Sequence, residues 1–148
     1  ALPIYYLNGI YLHKTTYENK SFLSGVATDS HRLSFSSLEI DQNNDFIPII
    51  LPKKTIFQLI SLLEQNTSNV KISNDKSKIK FEMDSGVLIS KVIDGRFPDY
   101  NKVVPKDNVK ILKMKLSEFK ISVERVNSVY SDRKEGLKMS ISKEFIQL

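Results

Sequence analysis

Val26-Ala27-Thr28-Asp29-Ser30-His31-Arg32-Leu33 and Ser90-Lys91-Val92-Ile93-Asp94-Gly95-Arg96-Phe97-Pro98-Asp99-Tyr100 are the stretches whose reading decides the fold. Each is denser in turn, charge and aromatic residues than the chain around it. In the first, alternating runs from Phe22 to Thr28 and from Arg32 to Ile40 flank Asp29-Ser30. Such a pair between alternating runs signals a hairpin, though less strongly than Asp-Gly. The second continues a strand-like run, Val87 to Ile93, into Asp94–Lys106, where Gly95, Pro98 and Pro105 mark a linker or boundary.

Working outward, residues 3–50 read as β, with Tyr5-Tyr6-Leu7 and Ile10-Tyr11-Leu12 on either side of Asn8-Gly9. The apolar run Phe46 to Leu51 ends at Pro52, which opens a helix where a missing N–H costs nothing. Ile56, Leu59, Ile60 and Leu63 follow at helical spacing as one apolar stripe, and Gln65-Asn66-Thr67-Ser68-Asn69 ends it. Strands are expected at Val70–Ser73, Lys78–Met83 and Val87–Ile93, joined by turns at Asn74-Asp75-Lys76 and Asp84-Ser85-Gly86. Past the linker, Val109–Lys115 alternates as a strand. Ser117 can cap a helix that buries Phe119, Val123, Val126 and Tyr130. Leu137, Met139 and Ile141 alternate again, and Phe145–Leu148 begins a partner strand. The order strand–helix–strand–strand thus occurs at Ile47–Met83 and again at Val109–Leu148, a weak repeat of pattern rather than identity. The expected class is α+β with antiparallel sheets. The second unit stops with its sheet unfinished and the first lacks a beginning, so the reading expects a fragment incomplete at both ends.

The chain has 148 residues, 41% apolar and 26% charged, which suffices for a packed core. With no cysteine, disulfides, thiolate metal sites and thiol catalysis are excluded. Together with the absence of a membrane-length apolar run and of a basic signal-peptide start, this reads as a cytoplasmic protein. The formal net charge of +5 favours polyanion partners such as nucleic acid. A general richness in Lys, Asn and Ile accounts for part of that excess.

Lys53 and Lys54 stand in the first turn of the Pro52 helix, at the positive end of its dipole. Each is disfavoured there by roughly 0.3–1 kcal/mol. A phosphate backbone nearby would reverse that liability; two solvated lysines are the alternative. His31 and Asp29 invite a reading as base and orienter, but residues i and i+2 of a tight turn seldom align that way. No Gly-x-Ser-x-Gly elbow or phosphate-cradling loop occurs. His13 and His31 lack companion ligands for a metal. The expectation is a non-catalytic chain with no metal and no cofactor.

Tyr5-Tyr6-Leu7-Asn8-Gly9 and the two stretches quoted above, in that order and spacing, resemble the bacterial sliding clamp, the β subunit of the replicative DNA polymerase. The resemblance implies the DNA-clamp fold of repeated strand–helix–strand units, with helices lining a central hole and sheets outside. It assigns residues 1–104 to most of a middle domain, lacking its opening strand and helix, and 105–148 to the start of a C-terminal domain. It implies a non-catalytic processivity factor of the DNA polymerase III holoenzyme. As a homodimeric ring, such a factor encircles duplex DNA without reading its sequence. It tethers polymerase subunits, clamp loader and repair proteins through a short Gln/Leu/Phe peptide motif. The implied peptide pocket is Leu7, Thr28, Ser30, His31, Arg32, Leu33, Pro98, Lys102 and Val103, completed in the family by C-terminal residues beyond Leu148. Ser30 stands where the family usually has Gly, and Lys102 where Arg is common. The implied DNA-facing residues are Tyr5, Tyr6, Lys53 and Lys54, one of the two tyrosines being core if they alternate on a strand. The chemistry agrees, since an apolar anchor needs a concave patch with a few polar groups at its edge. The rival reading is a stand-alone α+β peptide-binding adaptor with no DNA role. A basic footprint confined to the helical face would favour the clamp, and charge on every face the adaptor.

Overall fold

The computed structural model describes residues 5–41, 45–64, 69–129 and 136–148. The chain divides into two compact units, Ala1–Tyr100 and Asn101–Leu148, within the segment read as a linker. The first opens on a short 3-10 turn, Tyr5–Leu7. Strands β1 (Gly9–Tyr17), β2 (Lys20–Thr28), β3 (Leu33–Ile40) and β4 (Ile49–Pro52) form an antiparallel sheet in the order β3-β2-β1-β4. Helix α1 (Lys53–Glu64) follows, and β5 (Lys71–Asn74), β6 (Lys78–Met83) and β7 (Gly86–Lys91) make a three-stranded antiparallel sheet.

Strand β4 explains how these layers hold together. Successive strand side chains point to opposite faces. Ile49 and Leu51 therefore join Ile79, Phe81 and Met83 in one buried cluster, roofed by Ile56, Leu59 and Leu62 of α1. Ile50, between them, joins Val26, Ile93 and Phe97 in a second. A bridge between Ile50 and Ile93 ties the segment after β7 to β4. Gly9 is required where β1 meets β4, because a Cβ there would lie 2.3 Å from the Leu51 carbonyl oxygen.

Several sequence expectations are corrected. Tyr5-Tyr6-Leu7 is a 3-10 turn, not a strand, so the alternation argument for its tyrosines does not apply. The expected α1 stripe is rotated. Thr55 is buried and bonded to Ser90 of β7 at 2.7 Å between hydroxyl oxygens, which turns Ile56, Leu59 and Leu62 inward. Ile60 and Leu63 stay exposed. The β1–β2 connection passes through Glu18 and Asn19, both at positive φ (47° and 61°), a two-residue hairpin turn that lacks the usual Asn-Gly signature. Pro52 closes β4 and the helix starts one residue later.

A 3-10 turn, Tyr100–Lys102, straddles the boundary; in the second unit helix α2 spans Leu116–Asn127, and β8 (Ser140–Ile141) pairs antiparallel with β9 (Ile146–Gln147). Val109–Lys115 forms no strand, since alternation alone does not supply a pairing partner. Lys115, not Ser117, stands at the helix start, with no side-chain cap bond. Phe119, Val123 and Val126 are the least exposed positions of α2, as their spacing predicts. The expected β character of residues 3–4 and 42–44, the 65–68 turn residues, Tyr130 and the Tyr5 side chain lie outside the described residues.

Candidate functional site

The β2–β3 turn is organised by one carboxylate. The backbone N–H groups of His31 and Arg32 donate to Asp29 Oδ1 at 3.1 and 3.0 Å, and Arg32 Nε donates to Oδ2 at 2.9 Å. These backbone donors, aided by the Arg32 guanidinium, hold the Asp29 carboxyl below the usual carboxylate value. The Thr28 hydroxyl donates to the Arg32 carbonyl at 2.8 Å and accepts from the Ser30 N–H at 3.2 Å. Ser30 sits at φ 73°, the left-handed region that favours glycine. Side-chain and backbone bonds around the turn thus enforce a conformation that serine alone would avoid.

Beside this turn the chain-distant segments converge. Leu7 from the 3-10 turn and Leu33 from β3 both pack on the Val26, Ile50, Ile93 and Phe97 cluster. A Cβ at Gly95 would lie 3.2 Å from Tyr6 Cβ, so the segment carrying Phe97 and Pro98 runs alongside Tyr6-Leu7. Pro98 is exposed directly after buried Phe97. A cavity of about 340 Å³ opens at the same turn but on the α1 face of the sheet, its lining running from Leu7, Thr28 and Arg32 to Ile10, Ala27, Ser34, Lys53 and Ile56. Of the residues expected in a peptide pocket, Leu7, Thr28 and Arg32 line it. Leu33 packs on the cluster at the other face, and Ser30 and His31 stand exposed at the turn tip. Lys102 and Val103 belong to the second unit, where both are exposed.

Lys53 and Lys54 are exposed in the first turn of α1, which has no acidic residue. Lys53 Nζ lies 5.8 Å from the Phe57 ring centroid, and the Lys53 N–H donates to the Asn8 carbonyl at 3.2 Å. Tyr6 is about one-third exposed. Lysines also stand on the sheets, where Lys20 pairs with Glu39 and Lys80 with Glu82, so the basic charge is not confined to the helix.

Sequence reasoning missed an aromatic column on β1. The Tyr11 ring stacks on Phe97 (centroids 4.9 Å apart) and on His13 (4.5 Å), and His13 meets Tyr100 edge-on at 5.6 Å. His13 Nε2 and Tyr100 Oη are hydrogen-bonded at 2.9 Å, the proton lying on either atom according to tautomer. His13 is buried, and burial pushes its pKa below the ordinary histidine value. The i, i+2 spacing of Tyr11 and His13 was the available signal.

The family description "DNA polymerase III beta subunit, central domain" matches residues 3–99. The β sliding clamp of Caulobacter vibrioides strain NA1000 is 37% identical over 138 residues, covering 93% of this chain and 37% of that protein. That of Escherichia coli K12 is 30% identical over 144 residues, covering 97% and 38%. Among solved structures, the Caulobacter crescentus β sliding clamp superposes with a TM-score of 0.89 at 34% identity, over 96% of this chain and 38% of that one. The sliding clamp of Bartonella birtlesii bound to griselimycin gives 0.85 at 35% identity, also over 96% and 38%. The chain therefore spans well under half the length of these relatives.

Proposed function

The chain belongs to the bacterial β sliding-clamp family, and from that premise we propose that it is the part of a DNA polymerase III processivity clamp that carries the partner-peptide groove. Residues 1–104 are then most of the middle domain and 105–148 the start of the C-terminal domain. The whole protein is a non-catalytic subunit of the holoenzyme that encircles duplex DNA as a homodimeric ring. It holds polymerase subunits, clamp loader and repair proteins through a short Gln/Leu/Phe motif. The observation that carries this reading is the convergence of Leu7, Leu33 and Phe97 on one buried cluster, with Pro98 exposed next to Phe97 and with Thr28 and Arg32 on the adjoining turn. Leu and Phe side chains of a peptide gain roughly 25 cal/mol for each Å² of apolar surface they bury in such a place. Ser30, His31, Lys102 and Val103 are proposed as further contacts. Lys53 and Lys54, with Tyr5 and Tyr6, are proposed to face the DNA backbone, where cations contribute affinity without base readout.

The test is chemical-shift mapping with a Gln-Leu-x-Leu-Phe peptide and a scrambled control. Shifts at Leu7, Thr28, Arg32 and Leu33 are expected, with affinity about millimolar, near −4 kcal/mol, because the family completes the groove with residues beyond this chain. Equal shifts from the scrambled peptide would remove the assignment. Titration of a short duplex at two salt concentrations tests the DNA face. The Lys53→Glu, Lys54→Glu double variant is expected to bind more weakly with a shallower salt dependence. An unchanged slope rules both lysines out as phosphate contacts.

A further inference from the structure

Pro98 is held from both sides by the aromatic column on β1. Phe97, immediately before it, is buried and stacked on Tyr11 with the planes 6° apart. Tyr100, two residues after it, is bonded to His13 at 2.9 Å. Tyr11 and His13 lie on the same face of β1 and are themselves stacked, 17° from parallel. Besides these rings, the segment from Ile93 to Tyr100 is held by Ile93, buried in the same cluster as Phe97, and by Tyr100 tilted against Phe35 at 6.1 Å. Its regular pairing is the single Ile50–Ile93 bridge, and Asp94, Gly95, Arg96, Pro98 and Asp99 are exposed. An exposed loop with one bridge at its start samples many conformations unless its side chains are anchored. Here the anchors include two rings, and a polar bond ties the second of them to β1.

We propose that His13, acting through the Tyr100 hydroxyl, is a positioning residue for the partner groove, holding the Pro98 wall against the cluster that supports Leu7 and Leu33. This deepens the groove reading above and rests on it. A bond enclosed by aromatic rings is stronger than one in water, and leaving either partner unpaired there is costly. The geometry assigns His13 no contact with the peptide itself; it sits on β1, stacked between Tyr11 and Tyr100.

The full chain is compared as wild type, Tyr100→Phe, His13→Phe, the double variant, and His13→Gln, whose amide nitrogen reaches about as far as Nε2. Two readouts are taken, affinity for the Gln-Leu-x-Leu-Phe peptide and the Asp99 amide shift in free protein. Loss of one enclosed hydrogen bond predicts about five- to tenfold weaker peptide binding in each Phe variant. The double variant is expected to be no weaker than either single one, since both remove the same bond. His13→Gln is expected to restore affinity to within about twofold and to return the Asp99 shift, which a merely structural loss at His13 would not do. Phe variants that bind as wild type, or losses that simply add, overturn the proposal. If wild type shows no peptide-specific shifts, the groove reading fails by itself. The Asp99 amide then decides whether His13 positions the segment: a shared displacement in both Phe variants supports it, and no displacement overturns it.

Discussion

At the scale of single residues, the turn at Asp29–Arg32 combines a liability with its remedy. Ser30 at φ 73° carries a cost of roughly 1–2 kcal/mol relative to an ordinary backbone conformation. Ser30→Gly is expected to be neutral or to stabilise by up to about 1 kcal/mol, part of the relief being offset by the freer unfolded chain. Ser30→Val is expected to destabilise, because a β-branched side chain is a genuine outlier there. Urea midpoints should rank Gly at or above Ser, and Ser above Val; a Val variant equal to Gly would mean the turn has relaxed. The remedy is the Asp29 carboxylate, and it titrates. Its value is depressed by the His31 and Arg32 N–H groups, so its contribution is fully present above the ordinary Asp value of about 3.9. That contribution is lost as pH falls through the lower folded-state value. Asp75 behaves likewise, held down by the Ser77 N–H and hydroxyl and the Lys78 N–H. The His31 and Arg32 amide resonances should therefore titrate below pH 4 in wild type and stay flat in Asp29→Asn. A midpoint at or above the ordinary value would contradict the hydrogen-bond account.

At the scale of elements, legibility followed the strength of local pattern. The β2–β3 hairpin, α1, β6 and α2 announce themselves by alternation or by apolar residues at helical spacing, and they form where expected. Tyr5-Tyr6-Leu7 and Val109–Lys115 carry strand-like composition, but a strand exists only when another backbone pairs with it, and composition does not name the partner. The α1 face was misjudged because Ile56, Leu59, Ile60, Leu62 and Leu63 offer more apolar residues than one face holds. A polar contact, Thr55 to Ser90, chose among them. Leu7, Thr28, Arg32 and Leu33 are proposed for the groove from the resemblance, whereas the Tyr11–His13–Tyr100 column depends on long-range packing that spacing alone does not show. The corrected helix face predicts that Leu59→Ala costs about 1–3 kcal/mol, by loss of packing against Phe81 and its neighbours, and Ile60→Ala under about 1. Thermal or urea unfolding of the two variants checks it, and equal losses would restore the unrotated stripe.

At the scale of the whole molecule, burial is unevenly shared. Both buried clusters lie in the first unit, while among the described residues of the second none is buried. Hydrogen exchange follows buried contact density. Amides of β1, β2, β4 and β6 should therefore be protected by several orders of magnitude more than those of α2; similar protection in α2 would show that another surface covers its Phe119–Val123–Val126 stripe. Tyr6 and Gly95 lie against each other, so two segments far apart in sequence meet side by side. A covalent clip between them would close a loop running from β1 to β7, and a clip across a long loop restrains the unfolded chain most, so the unit would gain stability without any new packing.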